Sequence, residues 1–198
     1  EFIQHCQGEK PLVIDGEVTL THFRETSVPI LISEGAVLDA PCDDTADCTL
    51  DLVRGGVIVN RGTLRGRVSL MGNYEDIRHV PRLLNLGRAE VCLNSFGGAS
   101  SVINLGELAF RSGFDDEPLL EDAALANVGQ VTIGPGVRVT QKGNWSTNGG
   151  TITVSGGTYT VEQNTSVNNF GAISLKNGAR LVNGGEICDY GAINVASD

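Results

Sequence analysis

An all-β chain coiled as a parallel β-solenoid, with about 21 residues and three short strands in each turn, is predicted by three features of the sequence. The chain of 198 residues carries 26 Gly against 6 Pro, with no collagen triplet, and so many glycines mark many tight turns. A second feature is a recurring unit: Asn, any residue, Gly, any residue, then two apolar positions separated by one. It reads Asn85-Leu-Gly87-Arg-Ala89-Glu-Val91, Asn104-Leu-Gly106-Glu-Leu108-Ala-Phe110 and Asn127-Val-Gly129-Gln-Val131-Thr-Ile133, then recurs from Asn148 and Asn169. Beginning from a looser copy at Asn60, the Asn spacings are 25, 19, 23, 21 and 21. The third feature is a separate series, Gly136, Gly157 and Gly178, spaced by 21 and each placed just before a short apolar stretch.

The period dictates a shape. Alternation such as Val131-Thr-Ile133 buries one face of a strand and wets the other. So short a strand cannot bury its apolar face alone, and successive copies stack in register. Val131, Ile152 and Ile173 are then expected as one internal file, with Thr132, Thr153 and Ser174 outside. Asn127, Asn148 and Asn169 fall at equivalent corners, where their side chains could bond to one another along the axis. An antiparallel sandwich also has short strands at regular spacing, but it gives no reason for two independent series with a 21-residue period.

Along the chain, residues 1–198 read as a single domain, with 1–10 as an N-terminal cap. Leu12-Val-Ile14, Val18-Thr-Leu20 and Pro29-Ile-Leu-Ile32 are strand-like and open the coil. Residues 71–84 break the pattern and are expected as a protruding loop. Over 114–126, Asp115-Asp-Glu-Pro118-Leu-Leu-Glu reads as a short helical or irregular insertion, with acids and Pro at its start. The chain ends just after the first strand of a new turn, so the expectation there is either further chain or a partner stacked on that end.

Charge narrows the partners. The balance of 14 Lys and Arg against 24 Asp and Glu gives a net charge of −10, which disfavours nucleic acid and anionic membrane surfaces. No run approaches the length of a membrane-spanning helix, so membrane insertion is not expected. Cys42 and Cys48 bracket a short polar loop that a disulfide could staple, which would imply an oxidising compartment. Cys92 and Cys188 lie on predicted strands as core residues, and Cys6 has no assigned role. The acidic clusters Asp43, Asp44, Asp47, Asp51 and Asp115, Asp116, Glu117, Glu121, Asp122 could hold Ca²⁺, but they lack EF-hand spacing, and a solvated loop is the plainer reading. No other cofactor is indicated. Arg61, Arg65 and Arg67 form a candidate binding patch for acidic glycans or an acidic protein surface. Trp145 and Tyr159 are candidate outward sugar-stacking rings. Nucleotide-binding and nucleophile-elbow motifs do not occur.

The units Asn169-Phe-Gly171-Ala-Ile-Ser-Leu and Asp189-Tyr-Gly191-Ala-Ile-Asn-Val resemble the degenerate repeats of bacterial secreted β-solenoids of the filamentous-haemagglutinin and autotransporter-passenger kind. That resemblance covers mainly residues 85–198 and rests on repeat style. It implies a cell-surface or extracellular role in adhesion or assembly, and it brings no catalytic residues. The expected function is an extracellular structural or binding module, a surface adhesin or self-assembling fibre segment. Its expected partners are further copies stacked end to end, or a cell-surface glycan or protein. The alternative is a polysaccharide-degrading or glycan-binding β-helix protein of lyase, hydrolase or phage-tail type.

Overall fold

In the computed structural model, which describes residues 10–21, 24–41, 49–72, 80–96, 98–112 and 117–196, the chain is a parallel β-solenoid. Every described element is a strand, and every pairing joins one turn to the next in parallel. Three faces wind around one apolar interior. The first is a nine-stranded sheet whose rungs include Leu12–Ile14, Val57–Asn60, Ala123–Asn127, Trp145–Asn148, Ser166–Asn169 and Glu186–Asp189. The second runs from Glu17–Thr19 through Glu107–Phe110, Gln130–Ile133, Thr151–Ser155 and Ala172–Lys176 to Ala192–Val195. The third contains Arg24–Thr26, Thr49–Val53, Leu119–Glu121, Arg138–Lys142, Thr158–Val161 and Arg180–Asn183.

The second and third faces are joined in two turns without a break. Thr63–Met71 and Arg88–Phe96 are single nine-residue strands, each bending through the corner between the two faces. Gly66 makes the first bend with φ 100°, and a Cβ there would strike the Ala40 carbonyl. With about 4.8 Å between rungs, the nine rungs of the first face make a rod about 38 Å long.

The predicted internal file exists. Val131 pairs with Ile152 and Ile152 with Ile173, all buried, and the file runs back through Leu108, Ala89 and Leu64 to Leu38. On the first face Ile30, Ile58, Leu83 and Val102 form a second such file. Burying an aliphatic side chain contributes about 1.5–3 kcal/mol, so the stacked files drive the coiling. The backbone hydrogen bonds between rungs follow from it.

Two sequence-based expectations about excursions are corrected. Residues 117–126 are not helical: Leu119–Glu121 and Ala123–Asn127 are strands of the third and first faces. Asp122, at φ 54°, turns the corner between them, so one left-handed residue replaces a helical turn. Likewise the first-face strand Arg82–Asn85 begins within the stretch 71–84 expected as a loop. The expected cap at 1–10 lies, Lys10 apart, outside the described residues, as does the segment 73–79.

Candidate binding surface

At the corner between the first and second faces the sequence repeat becomes a single continuous structure. Asn60, Asn85, Asn104, Asn127, Asn148 and Asn169 point inward, almost wholly buried, and stack rung over rung. Each Nδ2 donates to the Oδ1 of the next member, at 2.7 Å from Asn60 to Asn85, 2.7 Å from Asn127 to Asn148 and 2.6 Å from Asn148 to Asn169. The second Nδ2 proton goes to a backbone carbonyl three residues beyond that next Asn, as from Asn127 to Thr151. Those carbonyls fix the direction of every amide. The ladder ends at Asp189, which can only accept, and which takes the Asn169 proton on Oδ1 at 2.6 Å. It begins at Asn60, because Ile32 and Ile14 occupy the same file one and two rungs earlier. Asn60 Oδ1 is consequently buried without a hydrogen-bond partner.

The glycine two residues after each Asn is required by close approach. A Cβ on Gly129, Gly150 or Gly171 would lie 2.2, 2.1 or 2.0 Å from the carbonyl oxygen of the equivalent glycine one rung earlier. The other glycine series behaves differently. In register, Gly136 pairs with Gly156 and not with Gly157, and the positive φ values belong to Gly136, Gly156 and Gly178 at 73°, 68° and 69°. Gly157 sits one place further in, where a Cβ would strike the Gly134 carbonyl at 2.4 Å.

Between Asn and Gly lies one outward residue per rung, and these residues form a ridge along the corner: Arg61, Leu86, Leu105, Val128, Gly149, Phe170 and Tyr190. Five of the seven are exposed apolar or aromatic side chains. Phe170 and Tyr190 stack with centroids 5.0 Å apart and planes 12° from parallel, while remaining 58% and 69% exposed. Further apolar side chains, Val13 and Ile103, are exposed on the outer side of the first face.

The outer second face changes character along its length. One outward file reads Asp39, Arg65, Glu90, Ala109, Thr132, Thr153, Ser174 and Asn194 in register. Glu90 accepts from Arg88 at 2.6 Å and from Arg111 at 2.9 Å. Partial burial pushes its carboxyl up, but the bond from Arg111 and the charges of Arg88 and Arg111 outweigh that and hold it below the usual carboxylate value.

Arg61, Arg65 and Arg67 do not share one surface. Arg61 stands on the corner ridge, Arg65 points out from the second face between Asp39 and Glu90, and Arg67 lies past the Gly66 bend on the third face. All three belong to one turn, with Arg61 on the corner that opens the second face and Arg67 beyond the bend that closes it. The two candidate stacking rings also part. Trp145 is exposed on the first face, whereas Tyr159 is buried in the interior, its hydroxyl donating to Gln141 Oε1 and held well above its ordinary pKa by burial. Gln141 in turn donates to Ser146 Oγ, which also accepts from the Leu125 amide.

Of the remaining candidates, Cys42, Cys48, Asp43, Asp44, Asp47, Asp115 and Asp116 lie outside the described residues. Asp51 is buried on the third face, while Glu117 and Glu121 pair with Arg138 and Lys142 at 3.6 and 2.7 Å. Among the described residues no three acidic, Cys or His side chains converge as a metal site. Cys92 is buried, as its strand suggested, but Cys188 is only half-buried, pointing outward from the first face. Sequence reasoning missed the corner ridge. Its signal was the residue between Asn and Gly, which is apolar or aromatic in five of seven copies at a position that must face water.

No protein-family model, curated protein or solved structure matches the chain.

Proposed function

We propose that the protein is a non-catalytic extracellular module, a rigid surface adhesin or fibre segment that binds through the side of its rod. The observation that supports this is the ridge of Leu86, Leu105, Val128, Phe170 and Tyr190, apolar and aromatic side chains left in water along one corner of the solenoid. A buried ladder holds each of them at a fixed interval, which is the preorganisation a docking surface needs. Exposed apolar arrays of this kind mark interaction sites. Partners of the rod are a cell-surface glycan or protein, or further copies stacked end to end.

An enzyme acting on polysaccharide would need carboxylates and cations on adjacent turns of one face, and Asp39, Arg65 and Glu90 meet that description in part. Glu90, clamped between two guanidiniums and kept ionised, is poorly suited to donate a proton. Electron microscopy of purified protein, combined with binding to immobilised glycans and intact cells, tests the proposal. Rods that bind a surface, or filaments built from rods, are the expected result. Depolymerisation of a polysaccharide, lost on Glu90→Gln, would replace the adhesive reading with the catalytic one.

A further inference from the structure

The corner ridge is interrupted once, at Gly149, and the interruption has walls. Above it stands Phe170, and beyond that Tyr190, each on the rung following the last: the Phe170 amide donates to the Asn148 carbonyl and the Tyr190 amide to that of Asn169. The two rings stack with centroids 5.0 Å apart and planes 12° from parallel, a separation close to the rung spacing of about 4.8 Å, so Tyr190 covers the face of Phe170 that looks toward the later rung. With one face of Phe170 covered by Tyr190, its other face is turned toward the Gly149 rung. Below stands Val128, 65% exposed. A Cβ built on Gly149 would meet only the Asn127 carbonyl oxygen, at 3.7 Å, so the floor of the gap is open space.

Two rung spacings separate the Val128 and Phe170 positions, about 9–10 Å. A ring in van der Waals contact on both sides needs about 3.5–4 Å per side, so one ring fits and two do not. The rim is uncharged and mostly polar, with Ala126 and Ala172 its two apolar members. Thr147 and Asn168 point outward from the first face beside the gap, and Gln130 and Thr151 do so from the second. An aromatic side chain in the gap would leave those hydroxyl and amide groups without matching partners. A pyranose has an apolar C–H face to lay on Phe170 and equatorial hydroxyls to meet the rim. An anionic sugar would gain nothing from an uncharged rim on a chain of net charge −10.

We infer that the gap at Gly149, between Phe170 and Val128, is a binding slot for one ring of a neutral polysaccharide. This deepens the proposed adhesive role and rests on it.

The slot can be closed without disturbing the fold. Gly149 has no positive φ and no backbone within clash distance, so Gly149→Val should keep the melting temperature while filling the space. Affinity electrophoresis of the whole chain through gels containing neutral glucans, mannans or galactans, with alginate as the anionic control, reads the result. Retardation by at least one neutral polymer is expected, weakened about ten-fold by Gly149→Val and by Phe170→Ala, the scale of one lost ring contact. No retardation by any neutral polymer, or retardation untouched by Gly149→Val in a protein of unchanged melting temperature, overturns the slot. Cell binding or filament formation that survives Gly149→Val with no glycan retardation would remove the slot and leave the adhesive rod standing.

Discussion

The three corners of this solenoid are built to different rules. Between the first and second faces, every rung from Asn60 to Asp189 turns with one outward residue and one glycine. No rung inserts a residue there. The other two corners vary freely: Gly66 bends an unbroken strand, Asp122 turns with a single left-handed residue, and Gly136 sits in an open turn. The longer connections, across 41–48, 72–81 and 111–118, all fall at these two corners. A corner with a buried polar ladder tolerates no insertion, because one shifted amide would leave both neighbours unsatisfied. Corners whose side-chain bonds are local, such as Gln141 to Ser146 and Ser95 with Ser100, carry no continuous ladder and can absorb extra chain.

Glycine substitution separates the two kinds of corner most sharply. Gly150→Ala drives a Cβ to 2.1 Å from the Gly129 carbonyl and should cost about 4 kcal/mol or prevent folding. Gly136→Ala has open space and only an unfavourable φ to bear, so about 1 kcal/mol is expected in chemical denaturation. Equal losses would mean that the first corner is not specially constrained.

The ladder's start offers a finer comparison. Ile32→Asn places an amide directly before Asn60, where its Nδ2 can donate to the orphaned Oδ1. Ile58→Asn buries the same amide between Ile30 and Leu83. Both lose aliphatic burial, but the first should be less destabilised than the second by about 1–3 kcal/mol in urea unfolding.

The smallest effect belongs to the second face. Because Glu90 has a folded pKa below its usual 4.5, its ion pairs stabilise the protein above that value and fade as pH falls through the folded pKa. Glu90→Gln should therefore lower the melting temperature slightly at neutral pH, and the difference from the parent should vanish in acid. Thermal melts across that range check it.

Much of the first corner was legible in the sequence, because ladder, glycine approach and apolar file each demand a residue type at a fixed spacing. Asn127, Asn148 and Asn169 could be placed in one column from their positions alone. The other corners were harder to read. Pro118-Leu119-Leu120-Glu121 has local helical character, and only pairing with Asn94–Ser95 and Thr140–Lys142 makes it a strand. Gly157 kept the 21-residue period, yet the rungs on the third face step by 20 and then 22, from Arg138 to Thr158 to Arg180, which moves the turn to Gly156. The same shift in parity sends Tyr159 inward. The corner ridge was visible but uninterpretable, since a file of exposed side chains has meaning only once its rungs are stacked.

The central claim is that the buried asparagines act as one coupled column. A double-mutant cycle with Asn127→Ala and Asn148→Ala, which are bonded at 2.7 Å, tests it most directly by chemical denaturation. A coupling energy of about 1–3 kcal/mol is expected, whereas Asn85→Ala with Asn148→Ala, three rungs apart, should be additive within about 0.5 kcal/mol. If the bonded pair is as additive as the distant one, the column is not the spine of this fold.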